Sequence, residues 1–145
     1  MPVHVTQTVT DPRDLIDSEV FGRLVDGLAR ENLLSSALAD RVMVQTLAFL
    51  FACANNEGTK LAPSRMVDLG WHMFILHTRE YIEFCDRVAG RYVHHVPQSG
   101  ALEVHAPAVA ATLAAMRDLG LVVDDELWPV AGDCSQCHAG CTDSP

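Results

Sequence analysis

The chain has 145 residues, 49% of them hydrophobic and 20% charged, with a formal net charge of −9 at pH 7. That size and balance suit one domain burying roughly two-thirds of its unfolded surface, and they exclude a disordered or collagen-like chain. The Lys and Arg residues are scattered, so the footprint of a nucleic-acid binder is missing, and the longest apolar run, Leu47 to Ala54, falls well short of the about 18 residues of a membrane span.

The N-terminus, Met1-Pro2-Val3-His4-Val5-Thr6, carries neither a basic nor an apolar export region. With five cysteines in the chain, this predicts a reducing, cytoplasmic setting in which thiols serve as metal ligands, catalytic groups or small buried hydrophobes.

Residues 1–16 alternate at Val3, Val5 and Val9 and are punctuated by Asp11-Pro12, which predicts an extended arm laid on the body. From Asp17 the period becomes helical. Val20, Phe21, Leu24, Val25 and Leu28 line one face, and Glu19 suits the positive end of the helix, giving a helix over Ser18–Arg30. Ser35 or Ser36 caps a second helix in which Leu38, Val42, Val44, Leu47, Phe49, Leu50 and Cys53 are apolar almost all round, the pattern of a central buried helix. Asn55 to Gly58 end it.

Ser64 to Gly90 reads as helical, with Gly90 at the C-terminal stop. Thr78 is an internal N-cap candidate with Glu80 early in the new helix, so the segment is either one helix or two meeting at His77-Thr78. Tyr92-Val93-His94-His95-Val96-Pro97 reads as extended. A last helix over Ala106–Leu119 stops at Gly120, followed by Leu121-Val122-Val123 and a turn over Asp124–Pro129. The expected fold is therefore all-α: a compact bundle of about five helices over residues 17–131, an N-terminal arm over 1–16, and a Cys/His-rich tail over 132–145.

That tail holds Cys134-Ser135-Gln136-Cys137-His138-Ala139-Gly140-Cys141. Two residues between thiolates let both sulfurs reach one tetrahedral ion, and a metal would order a tail too polar to pack itself. A reduced tail with incidental cysteines is the bland alternative. Cys134 to His138 also match the c-type haem signature, but that chemistry normally follows export; a redox Cys-x-x-Cys ordinarily sits at a helix N-terminus.

His138 is too near Cys137 for both to ligate without strain, so a fourth ligand from the body is expected, from His72, His77, Cys85, His94 or His95, with His72 foremost. In an unbroken helix His72 and Cys85 stand about 20 Å apart; a break at His77-Thr78 would fold them together. Asp68 lies one turn before His72, where a carboxylate orienting a ligand imidazole belongs. Each residue also has a structural reading. Trp71, Phe74 and Tyr81 are spaced as core, His72 would serve equally as a hydrogen-bonded core histidine, and Asp68 suits helix-end electrostatics. Cys53 reads as an inert small hydrophobe. Only one of His94 and His95 can face inward on an extended segment, and His4 and His105 read as surface residues.

The run Val67-Asp68-Leu69-Gly70-Trp71-His72, with Arg79-Glu80-Tyr81, Phe84-Cys85, Gly90 and His94-His95-Val96-Pro97, resembles the repeating unit of the glycine-rich domain-containing protein family over residues 15–98. The tail with Cys134, Cys137 and Cys141 looks like the ending of its short bacterial members. The resemblance implies a helical fold and no settled activity. Phe74 stands where that pattern often has a second His, and Thr78 where it has a proline, which implies a helix break there. The long glycine-rich region behind the family name is absent.

Three functions remain open from the sequence. The first is a metal-binding helical protein, with Cys134, Cys137, Cys141 and His72 (alternates His138, Cys85, His94 and His95) holding zinc foremost, or iron or an iron–sulfur cluster, and clamping the tail to the body. The second is a metal- or cysteine-dependent enzyme of unknown substrate with Cys85, His95 and Asp68 as catalytic candidates, although no phosphate loop or nucleophile elbow is present. The third is an acidic module that binds a protein partner.

Overall fold

The structure, a computed structural model, describes residues 11–96 and 102–129, the side chains of 102–105 excepted. Among these residues the fold is all-α, with five helices: α1 Ser18–Asn32, α2 Ser36–Ala54, α3 Arg65–Leu76, α4 Thr78–Ala89 and α5 Leu102–Asp118. The first ten residues and the cysteine tail lie outside the described residues.

Local chemistry sets most of the boundaries. Asp17, Ser35 and Ser64 cap α1, α2 and α3 by accepting from Glu19 N, Leu38 N and Val67 N, which satisfies amide groups that have no partner inside the helix. Gly90 closes α4 in the left-handed region at φ 69°, as its lack of a Cβ allows. Leu33 closes α1 at φ 53° while 93% exposed, a conformation ordinarily left to glycine or asparagine. Nothing in the residues signalled it, and α1 runs past the expected Arg30.

The arm departs from the expected extended form where it is described. Asp11 accepts from Arg13 N and starts a 3-10 turn over Pro12–Leu15. Leu15 is buried, and Arg87 of α4 donates to its carbonyl at 2.8 Å. Asp before Pro is itself a helix-start signal, so this turn was legible.

α2 forms the centre, with Ala39, Val42, Met43, Leu47, Ala48, Phe49 and Leu50 wholly buried. By length and composition it is apolar enough to cross a bilayer, yet α1, α3, α4 and α5 all pack on it, and a core helix passes the same test. α3 lies closest. A Cβ built on Gly70 would stand 2.1 Å from Thr46 Oγ1 and 3.3 Å from Val42, so Gly70 is what lets α3 press against α2. Thr46 meanwhile donates to Val42 O at 2.8 Å.

The expected break falls at His77, one residue before the anticipated cap. His77 adopts φ −88° and ψ 70° between the two helices and offers no side-chain cap, while Thr78 is the first residue of α4. The His77 ring instead contacts Met73 O at 3.2 Å. α5 starts four residues before the expected Ala106 and carries Pro107 inside. Its buried Thr112 accepts from Ala62 N at 2.9 Å, tying α5 to the connection that leads into α3.

The chain then passes Gly120 and returns to α2. Gln45 accepts from Trp128 Nε1 at 2.7 Å and from Asp124 N at 3.1 Å, and donates to Val122 O at 3.0 Å. Arg41, one turn earlier, holds both oxygens of Asp124 at 2.8 Å. This clamp fixes residues 122–128 against α2.

Candidate functional site

The chemistry gathers on the outer side of α3. Asp68 and His72 stand one helical turn apart on one face, while Trp71 between them turns into the core. Residues 91–96, after Gly90, lie against this face. Val93 is buried and His94 exposed, and the His95 side chain is 18% exposed. Alternation thus turns one histidine of the pair toward α3.

His95 meets Asp68 directly, with Nε2 2.6 Å from Oδ1, and its ring lies edge-on to Trp71 with centroids 4.5 Å apart. The exposed His72 ring is 6.5 Å from that of His95. Asp68 therefore orients an imidazole, but that of His95 and not the expected His72. An ionised carboxylate can only accept, so His95 carries its proton on Nε2, and in the neutral ring Nδ1 keeps a free lone pair.

Two donor atoms on a tetrahedral zinc ion with bonds of about 2.0–2.1 Å stand about 3.3 Å apart. Asp68 Oδ1 and His95 Nε2 are closer than that, so the pair fits a carboxylate bracing an imidazole better than two ligands to one ion. Among the described residues no three His, Cys, Asp or Glu side chains already form an ion-holding group.

The remaining candidates divide by burial. Cys85 is 1% exposed and lies against the Tyr81 phenol, whereas His72 faces solvent, so the break at His77 does not bring the two together at the surface. His94 packs on Tyr92 with centroids 4.7 Å apart. Burial pushes the Cys53 thiol up to about 12, consistent with an inert thiol. Cys134, Cys137, His138 and Cys141, and the side chain of His105, lie outside the described residues.

Trp71 and Tyr81 are buried as their spacing predicts, and they also have a polar role that spacing does not show. Trp71 Nε1 donates to the Tyr81 hydroxyl at 2.9 Å, and that hydroxyl donates to Val93 O. Burial raises the Tyr81 phenol far above its ordinary value, so it stays a neutral donor. The available signal was that Trp and Tyr carry a polar group that needs a partner when buried.

A family model, UCP032817-like, matches residues 15–112, which take in α1 to α4, the whole α3 site and the first part of α5. The chain belongs to the UCP032817-like family. This corrects the resemblance to glycine-rich domain-containing proteins, which no finding supports; the matched family is uncharacterised. The Asp-x-x-Trp-His and Tyr-x-x-x-Cys elements behind that resemblance fall inside the UCP032817-like region. There Trp71, Tyr81 and Cys85 are packing residues, and short packing motifs do not identify a family. No curated protein and no solved structure matches the chain.

Proposed function

We propose that this UCP032817-like chain is a metal-binding helical protein. In this reading Cys134, Cys137 and Cys141 hold one zinc or iron ion together with an imidazole of the His72–His95 pair, joining the C-terminal segment to the body. The observation that carries the reading is the 2.6 Å bond from His95 Nε2 to Asp68, because a carboxylate that takes one ring nitrogen leaves the other as a fixed, more basic donor. Thiolate and imidazole together suit zinc, and iron accepts the same set.

The anchor of the C-terminal segment supports the reach this requires. Trp128 is bonded to Gln45, Gln45 and Phe49 share a face of α2 one turn apart, Phe49 meets Trp71 at 5.1 Å, and Trp71 meets His95. An extended chain spans at most about 17 Å over the five steps from residue 129 to Cys134, the reach that this reading asks of it.

A second reading draws on the same bond, since Asp68 would equally orient His95 as a general base in a small enzyme. A reaction that persists after chelation would favour it. The deciding experiment is elemental analysis with an absorption spectrum on the tag-free full chain, repeated on the Cys134→Ser/Cys137→Ser double variant and on His72→Ala and His95→Ala. One equivalent of metal, lost in the cysteine variant, is expected, and the histidine variant that loses it names the body ligand. Metal-free protein with its fold intact would sink the reading.

A further inference from the structure

We propose that Tyr81 is a positioning residue for this site, a latch whose hydroxyl holds the Val93 carbonyl and so sets His95 against Asp68 beside His72. The consequence for metal rests on the metal-binding reading; the latch itself rests on geometry. Residues 91–96 belong to no helix, so side-chain bonds and burial must hold them. Arg91 donates to Cys53 O at 3.1 Å, and the wholly buried Tyr81 donates to Val93 O, two residues before His95.

The hydroxyl is aimed from the other side by Trp71 Nε1 at 2.9 Å, so both of its hydrogen-bonding roles are in use. Trp71 is in turn the ring on which His95 packs, and it stands between Asp68 and His72 in sequence. One buried oxygen thus joins α3, α4 and the segment carrying His95. Removing it strands both an indole N–H and a carbonyl, and such groups shift to find water.

The test is Tyr81→Phe in the full chain, read in two ways. The first, on metal-free protein, is the His95 tautomer from long-range nitrogen–proton correlations of the ring. The second is cobalt(II) affinity from its absorption bands. Helical circular dichroism should persist, the fixed Nε2–H tautomer of His95 should be lost, and cobalt affinity should fall about tenfold, as for other residues that orient a ligand. Phe84→Leu, a core change in the same helix, should leave the His95 signal in place.

An unchanged tautomer and unchanged cobalt affinity in Tyr81→Phe would overturn the latch. A wild-type chain that binds no cobalt would count against the metal reading, while the tautomer would still decide the latch. If Tyr81→Phe does not fold, the wild-type chain carries the test: a slowly exchanging Tyr81 hydroxyl proton close to Val93 is expected from the bond to its carbonyl, and a phenol proton that exchanges freely with water overturns the proposal.

Discussion

Asp68 and His95 lie 27 positions apart and meet at 2.6 Å, with the Asp68 side chain 44% exposed and that of His95 18% exposed. A pair so open to water contributes little to stability, because solvent screens the charges and two side chains must be immobilised. Its contribution is direction: it fixes which ring nitrogen carries the proton. Asp68→Asn is therefore expected to leave the melting temperature within a few degrees of wild type and, on the proposed metal-binding reading, to weaken zinc binding about 10- to 100-fold. Competition against a chromophoric chelator measures the second effect, and a thermal melt the first.

Gly70 presents a case where two effects oppose. In a helix interior alanine is favoured over glycine by about 1 kcal/mol. Here the added Cβ would sit 2.1 Å from Thr46 Oγ1, and overpacking a filled core costs about 1–3 kcal/mol. The clash should win, so Gly70→Ala is expected to destabilise the fold by a net of up to about 2 kcal/mol in urea unfolding. Thr46→Ala in the same chain removes the nearest atom and should restore part of the loss. A Gly70→Ala protein more stable than wild type would show that α3 and α2 are not this close.

The elements were legible because their signals are local. Ser35, Ser64 and Gly90 cap helices through bonds to residues a few positions away, and the almost wholly apolar α2 announces a central helix. The site was legible in its residue types but not in its pairing. Asp68 reads first with His72 because one helical turn is visible in a sequence, and with His95 only as an alternative base in the enzyme reading, since that contact crosses 27 positions and depends on how the segment after Gly90 folds back. The clamp of Gln45 on Trp128 spans 83 positions, and a lone glutamine in an apolar helix gives no sign of its partner.

That clamp includes a titratable element. Arg41 hydrogen-bonds Asp124 and holds its carboxyl below the ordinary value of 3.8. A carboxyl depressed in the folded state stabilises the fold above its unfolded value, and that contribution fades as the pH falls through the folded value. The C-terminal turn should thus be secure at neutral pH and loosen below about pH 3.8. Tryptophan fluorescence followed from pH 6 downward should show a step as Trp128 leaves Gln45, and Asp124→Asn should abolish that step. Gln45→Leu, which strands the Trp128 indole N–H, is expected to cost about 1–3 kcal/mol at neutral pH.

The proposed metal-binding reading divides the five cysteines into two classes that one experiment separates. Burial pushes Cys53 up to about 12, which leaves only about one thiol in 10,000 ionised at pH 8, and Cys85 is 1% exposed. Both should resist alkylation in the folded protein whatever its metal content, because only an accessible thiolate reacts. Cys134, Cys137 and Cys141 should behave differently: protected while they ligate a metal, and alkylated after a chelator removes it. Peptide mapping by mass spectrometry after brief iodoacetamide treatment, with and without chelator, measures all five at once. Chelator-dependent labelling of the three, with Cys53 and Cys85 modified only in denaturant, is the expected result. Equal labelling of the three in both samples would count against a shared ion, and early labelling of Cys85 would bring back the cysteine-dependent enzyme, since a buried structural thiol has no means of reacting first.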